Sequence, residues 1–215
     1  MTDAFADVVM PMFQKVLQLL DQLYLGEART PDEVVAQTRS WIEEAARKTV
    51  AKPDLARSFE LAKFGLVTWI DEILTDSAWG ANARWSAGVH LLEWSIYGTR
   101  VGASKFYEEA QSAEDEGDLD ALEVYLLCVT LGFKGIMAYD ETSLSEWVER
   151  VYGRVSEVSS VASRPFTEED DSGPRFRPLR GPSLLLTVSI LMAITALLTL
   201  AAYLLAVHLD YYSGG

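Results

Sequence analysis

From Leu184 to Val207 the chain runs for 24 residues without a charge. Few structures accommodate such a stretch, because an apolar segment of about 18 or more residues is long enough to cross a bilayer as a helix. At ~1.5 Å per residue it reaches about 36 Å, against about 30 Å of hydrocarbon, so it spans with modest tilt. Its nine Leu, two Ile and two Val each favour insertion by roughly 0.3–0.6 kcal/mol. Thr187, Ser189, Thr195 and Thr199 can bond back to their own helix and do not overturn that sum. A buried core helix is the competing reading, and the length argues against it. The sequence therefore predicts a transmembrane helix over 183–207, followed by a short tail over 208–215.

The flanks set its orientation. Arg175, Arg177 and Arg180 precede the run, whereas His208 and Asp210 follow it. Basic residues near a span stay on the cytoplasmic side. Residues up to about 180 are thus expected in the cytosol. No apolar segment with a basic leader opens the chain, so no secretory signal peptide is expected. Every Lys and Arg lies ahead of the run, as does every acid except Asp210, and the whole chain carries a net charge of −14. Such a field repels nucleic acid and anionic headgroups and favours partners with basic surfaces. The lone Cys128, set among Leu126, Leu127, Val129 and Leu131, reads as a buried structural thiol in a reducing compartment.

Ahead of the span lies enough chain for one domain with a sizeable core. Thr30-Pro31-Asp32-Glu33 combines a capping hydroxyl, a first-turn proline and a returning Glu, the pattern of a capping box. Ser143-Leu144-Ser145-Glu146 repeats it. The apolar periodicity between them is helical and predicts helices at about 4–24, 31–50, 54–75, 82–96, 102–116, 119–131 and 143–160, with Pro11 bending or restarting the first. The third is apolar nearly all round and belongs in the middle of a bundle. Pro165, Pro174, Pro178 and Pro182, with the acidic run Glu168-Glu169-Asp170-Asp171, make 161–182 an extended linker. The fold class predicted is all-α: a cytosolic bundle of about seven helices over 1–160, plus one C-terminal transmembrane helix.

Motifs for chemistry are missing. A di-iron bundle needs paired Glu-x-x-His motifs, yet His90 and His208 are the sole histidines and neither follows a Glu at that spacing. No phosphate loop or dinucleotide-binding turn occurs, and Gly98 to Gly102 reads as a turn between helices. No cofactor, metal or catalytic residue is predicted. Aromatic and turn residues instead concentrate between Trp69 and Tyr107. Asp71 and Glu72 sit there at the end of the central helix, pointing about 100° apart. Buried acids need partners. Either a base such as Arg84 pairs with them, or they line a cleft beside Trp79 where a partner protein supplies the base. Within the span, Thr195, Thr199, Ala202 and Ala206 share one face, where small residues let helices approach closely.

Asp71-Glu72 followed by Trp79-Gly80 and Trp85, then Leu91 and Tyr97-Gly98 ahead of Phe106-Tyr107, resembles the DotU/TssL (IcmH) family of bacterial type VI and type IVb secretion machines. So does Leu122-Glu123-Val124-Tyr125-Leu126-Leu127-Cys128 running into Leu131-Gly132-Phe133-Lys134-Gly135. The resemblance covers most of residues 1–160, more loosely after Gly135, and the C-terminal anchor agrees with it. It implies a helical, non-enzymatic component of the bacterial inner membrane. The implied partners are an IcmF/TssM-type membrane protein, indirectly an outer-membrane lipoprotein, and baseplate proteins; the small-residue face of the span offers a dock for a second copy of the chain or for a span of the IcmF-type protein. Some members carry a peptidoglycan-binding domain beyond the membrane, which this sequence lacks, so a grip on the cell wall is expected from a separate protein. The alternative reading is a tail-anchored helical regulator that binds a partner helix in a groove.

Overall fold

A computed structural model describes residues 1–87 and 90–162. These form eight α-helices and no strand among the described residues. They are α1 (Asp3–Tyr24), α2 (Pro31–Thr49), α3 (Pro53–Thr75), α4 (Ala78–Ala83), α5 (Leu92–Tyr97), α6 (Gly102–Asp115), α7 (Leu119–Thr130) and α8 (Glu141–Ala162). Short 3-10 turns lie at Trp85–Ala87 and Gly135–Met137. No helix among the described residues is long and apolar enough to cross a membrane. α8 takes in the first two residues of the expected linker; the rest of the linker, the transmembrane helix, the tail and the small-residue face lie outside the described residues.

Local chemistry explains most boundaries. Thr30 closes the expected capping box at α2: its hydroxyl accepts from Glu33 N at 3.3 Å, and its own N–H donates to Glu33 Oε2 at 2.8 Å. Pro11 does not restart α1, which runs through it unbroken. At α8 the cap comes earlier than Ser143, because Asp140 accepts from Ser143 N at 3.0 Å and draws the helix start back to Glu141. The helix expected over 82–96 is not continuous. Ser77 caps α4 by accepting from Gly80 N, and Arg84 ends it in the left-handed region at φ 54°. The chain resumes as a helix only at Leu92. This interruption lets Trp85 turn fully into the core.

α3 is the axis of the bundle, packed against α1, α2, α5, α6 and α7. Its Trp69 lies against Phe13 of α1, ring centroids 4.8 Å apart. On the other flank Phe106 of α6 stacks on Phe133 at 3.8 Å and meets Tyr125 of α7 edge-on at 4.9 Å. Tyr125 donates its hydroxyl proton to Leu61 O at 2.9 Å. Cys128 is buried, and its thiol faces Gly65 O; burial raises its pKa well above the ordinary value, as an inert structural thiol requires.

Candidate partner-binding cleft

The last turns of α3 carry Asp71 and Glu72, and the helical offset between them sends the two carboxylates to different places. Asp71 is almost fully buried. Its Oδ1 accepts from Trp85 Nε1 at 3.1 Å and from Leu92 N at 2.8 Å, while Oδ2 accepts from Glu93 N at 2.8 Å. It thereby satisfies the free N–H groups that open α5. Glu72 turns toward the α7–α8 connection, where its carboxylate accepts from Lys134 N at 2.6 Å and Gly135 N at 3.1 Å. Gly135 has φ 53°, and a Cβ there would stand 2.6 Å from Ala103 O, so glycine is what permits this approach.

A third acid completes the arrangement. Glu93 is buried, and its Oε1 accepts from Thr99 Oγ1 and Val101 N, both at 2.8 Å. Its Oε2 accepts from Gly102 N at 3.0 Å, the first residue of α6. A Cβ on Gly102 would lie 2.7 Å from Glu93 Oε2 and 2.6 Å from Thr68 Cγ2. Asp71 thus holds the start of α5, whose Glu93 holds the start of α6. The sequence reading singled out Asp71 and Glu72 and gave Glu93 no role. An isolated Glu in an amphipathic stretch gives no sign that a hydroxyl six residues later and backbone N–H groups eight and nine residues later will converge on it.

The three acids line one cavity of ≈240 Å³ together with Thr68, Arg100 and Phe133. The base beside them is therefore Arg100, whose guanidinium also lies 5.4 Å from the Trp94 ring. Arg84 is exposed and forms no ion pair among the described residues, so it is not the internal counterion that the sequence suggested. Trp79 is half-buried, donates to Arg29 O at 3.3 Å and packs on Trp85 at 5.6 Å. It lines other cavities than the acidic one.

Burial governs the titration here. It raises the Asp71 carboxyl to about 7, with the neighbouring Glu93 charge adding to the rise and the three N–H donors opposing it. Glu72 is also raised by burial, against the donors from Lys134 and Gly135.

The model of the DotU family, described as type VI secretion system protein DotU, matches residues 4–209. The chain belongs to the DotU family. It is a component of a type VI secretion system. The DotU match extends beyond the described helices and takes in the uncharged run. Among solved structures, the cytoplasmic domain of TssL from Acinetobacter baumannii has a TM-score of 0.62 and 21% sequence identity, over 72% of this chain and 98% of that one. At that identity the likeness establishes the fold, an all-α domain. No curated protein matches the chain.

Proposed function

We propose that this chain is the inner-membrane-anchored member of the secretion complex and that its acidic cleft takes a basic side chain of a baseplate component. The family match over residues 4–209 carries the reading, because it joins the helical domain and the uncharged run in one unit. Arg175, Arg177 and Arg180 favour a cytosolic position for the helical domain and a periplasmic C-terminus. Within the cleft, Glu72 is the group suited to contact: it is only partly buried, and a cation approaching it offsets the cost of its half-desolvated charge. Asp71 and Glu93 shape the cleft from behind. In the membrane the partners are an IcmF/TssM-type protein and a second copy of the chain, one of which docks on Thr195, Thr199, Ala202 and Ala206; the outer-membrane lipoprotein is reached indirectly.

Affinity purification of the full chain from solubilised membranes tests this directly. An IcmF-type protein and baseplate proteins should copurify. Glu72→Gln keeps an acceptor for the Lys134 and Gly135 N–H groups but removes the charge, so it should retain the IcmF-type protein and lose baseplate proteins. Failure to recover an IcmF-type protein overturns the membrane assignment; undiminished baseplate recovery with Glu72→Gln overturns the cleft.

A further inference from the structure

α1 carries an outward stripe that nothing in the described fold covers. Its inner side is built from buried residues such as Phe5, Val9 and Val16. On the outer side Asp7, Met10, Gln14, Leu17, Asp21 and Tyr24 are all exposed and follow one another at alternating steps of three and four. That spacing sets them in one line along the helix. Met10, Leu17 and Tyr24 repeat every seven residues and are 39%, 43% and 85% exposed. A surface helix ordinarily turns a polar face outward. Here three apolar residues spaced by seven alternate with Asp7, Gln14 and Asp21, a mixed face with an apolar anchor on every second turn.

The stripe ends at a cavity of ≈430 Å³, lined by Leu20, Tyr24, Ile73 and Trp79 with Asp21 and Asp76 among its walls. Asp7, Asp21 and Asp76 form no ion pair among the described residues. The lysine of α1, Lys15, is taken up by Glu44 of α2 at 2.7 Å. The face therefore combines apolar anchors with unneutralised negative charge. A second copy meeting it symmetrically would press two acidic stripes together, which like-charge repulsion disfavours. A helix bearing bases would relieve the same charge.

We propose that this face docks one amphipathic helix of a partner protein. Its apolar stripe bears on Met10, Leu17 and Tyr24 and places a side chain in the cavity against Ile73 and Trp79. Lys or Arg residues beside that stripe meet Asp7, Asp21 and Asp76. The face shares no lining residue with the acidic cleft and stands independently of the reading given to it.

The test uses the full chain in its own membrane, with a photo-activatable phenylalanine at Leu17 or Tyr24 and, as control, at the exposed Gln111 of α6. The peptide captured on irradiation is sequenced. The expected adduct forms at Leu17 and Tyr24 and not at Gln111. It joins a segment of another polypeptide with apolar residues three and four apart and Lys or Arg beside them. Asp21→Lys with Asp76→Lys should lower its yield at least tenfold, and acidic replacements of the bases in the captured segment should restore it. An adduct with a second copy of this chain, one with a segment lacking bases, one indifferent to the charge reversal, or none at all overturns the proposal.

Discussion

Replacing Asp71 with Asn exchanges one penalty for another, and the balance depends on pH. The carboxylate accepts three N–H groups, two at Oδ1 and one at Oδ2. Asn retains an oxygen for Trp85 and Leu92 but turns an NH₂ toward Glu93 N, which loses one bond and faces two donors. That costs ~2–3 kcal/mol in a buried position. Against it stands relief of a buried charge. A carboxyl moved from its ordinary 3.8 to about 7 resists ionisation by ~4 kcal/mol. Because the folded value lies above the unfolded one, this contribution to stability is fully present below pH 3.8 and is lost as pH rises through about 7. Wild-type stability should therefore decline across that window, and Asp71→Asn should lack this part of the decline. Urea unfolding of residues 1–162, followed by Trp fluorescence, should find the variant less stable than wild type by ~2 kcal/mol near pH 4. The gap should close or reverse at pH 8. An equal gap at both pH values, to within ~0.5 kcal/mol, would mean that the three donors keep Asp71 ionised throughout and that burial is not the dominant effect.

Gly102→Ala drives a methyl group against Glu93 Oε2 and Thr68, and should lower unfolding free energy by ~1–3 kcal/mol, measured by the same titration. Thr30→Ala removes the hydroxyl half of the α2 cap; a loss of ~1 kcal/mol in thermal unfolding is expected, and Thr30→Ser should keep most of it. For topology, a reporter active only in the periplasm should work when fused after Gly215 and fail when fused ahead of Thr2. Exchanging Thr199 and Ala202 for Leu should abolish a membrane two-hybrid signal while leaving insertion intact, since close helix approach needs small residues.

The parts of this fold written in local chemistry were readable, and the parts written in distant backbone were not. Thr30 and Glu33 satisfy each other across three residues, so the α2 start could be named from four letters. α3 advertised its central position through apolar residues on every side, and Gly98, with φ 68°, closes α5 as expected of a turn glycine. By contrast, the break after α4 depends on Arg84 adopting a positive φ, which its residue type does not signal. Ser143 looked like a cap and was pre-empted by Asp140, since both patterns were present within one turn. At the cleft, Asp71 and Glu72 stood out because acids are unexpected at the end of an apolar helix. Their partners were invisible: the N–H groups of Leu92 and Glu93 lie 21 and 22 residues beyond Asp71, and any residue but proline would supply them. Arg100 could have been preferred to Arg84 only by knowing that the α5–α6 turn folds back over α3.

The carboxylates at the end of α3 also determine how this domain would bear a load. The turn at Gly135–Met137 and the start of α5 are each held to the same helical turn by hydrogen bonds to its carboxyl groups, and α6 is held one step further through Glu93. A pull applied to any of these segments reaches the end of α3, the central helix among the described residues. The Glu72 and Asp71 links act side by side, whereas a pull on α6 passes first through Glu93 and then through Asp71. Any partner that pulled on this cleft would be pulling on the domain's spine.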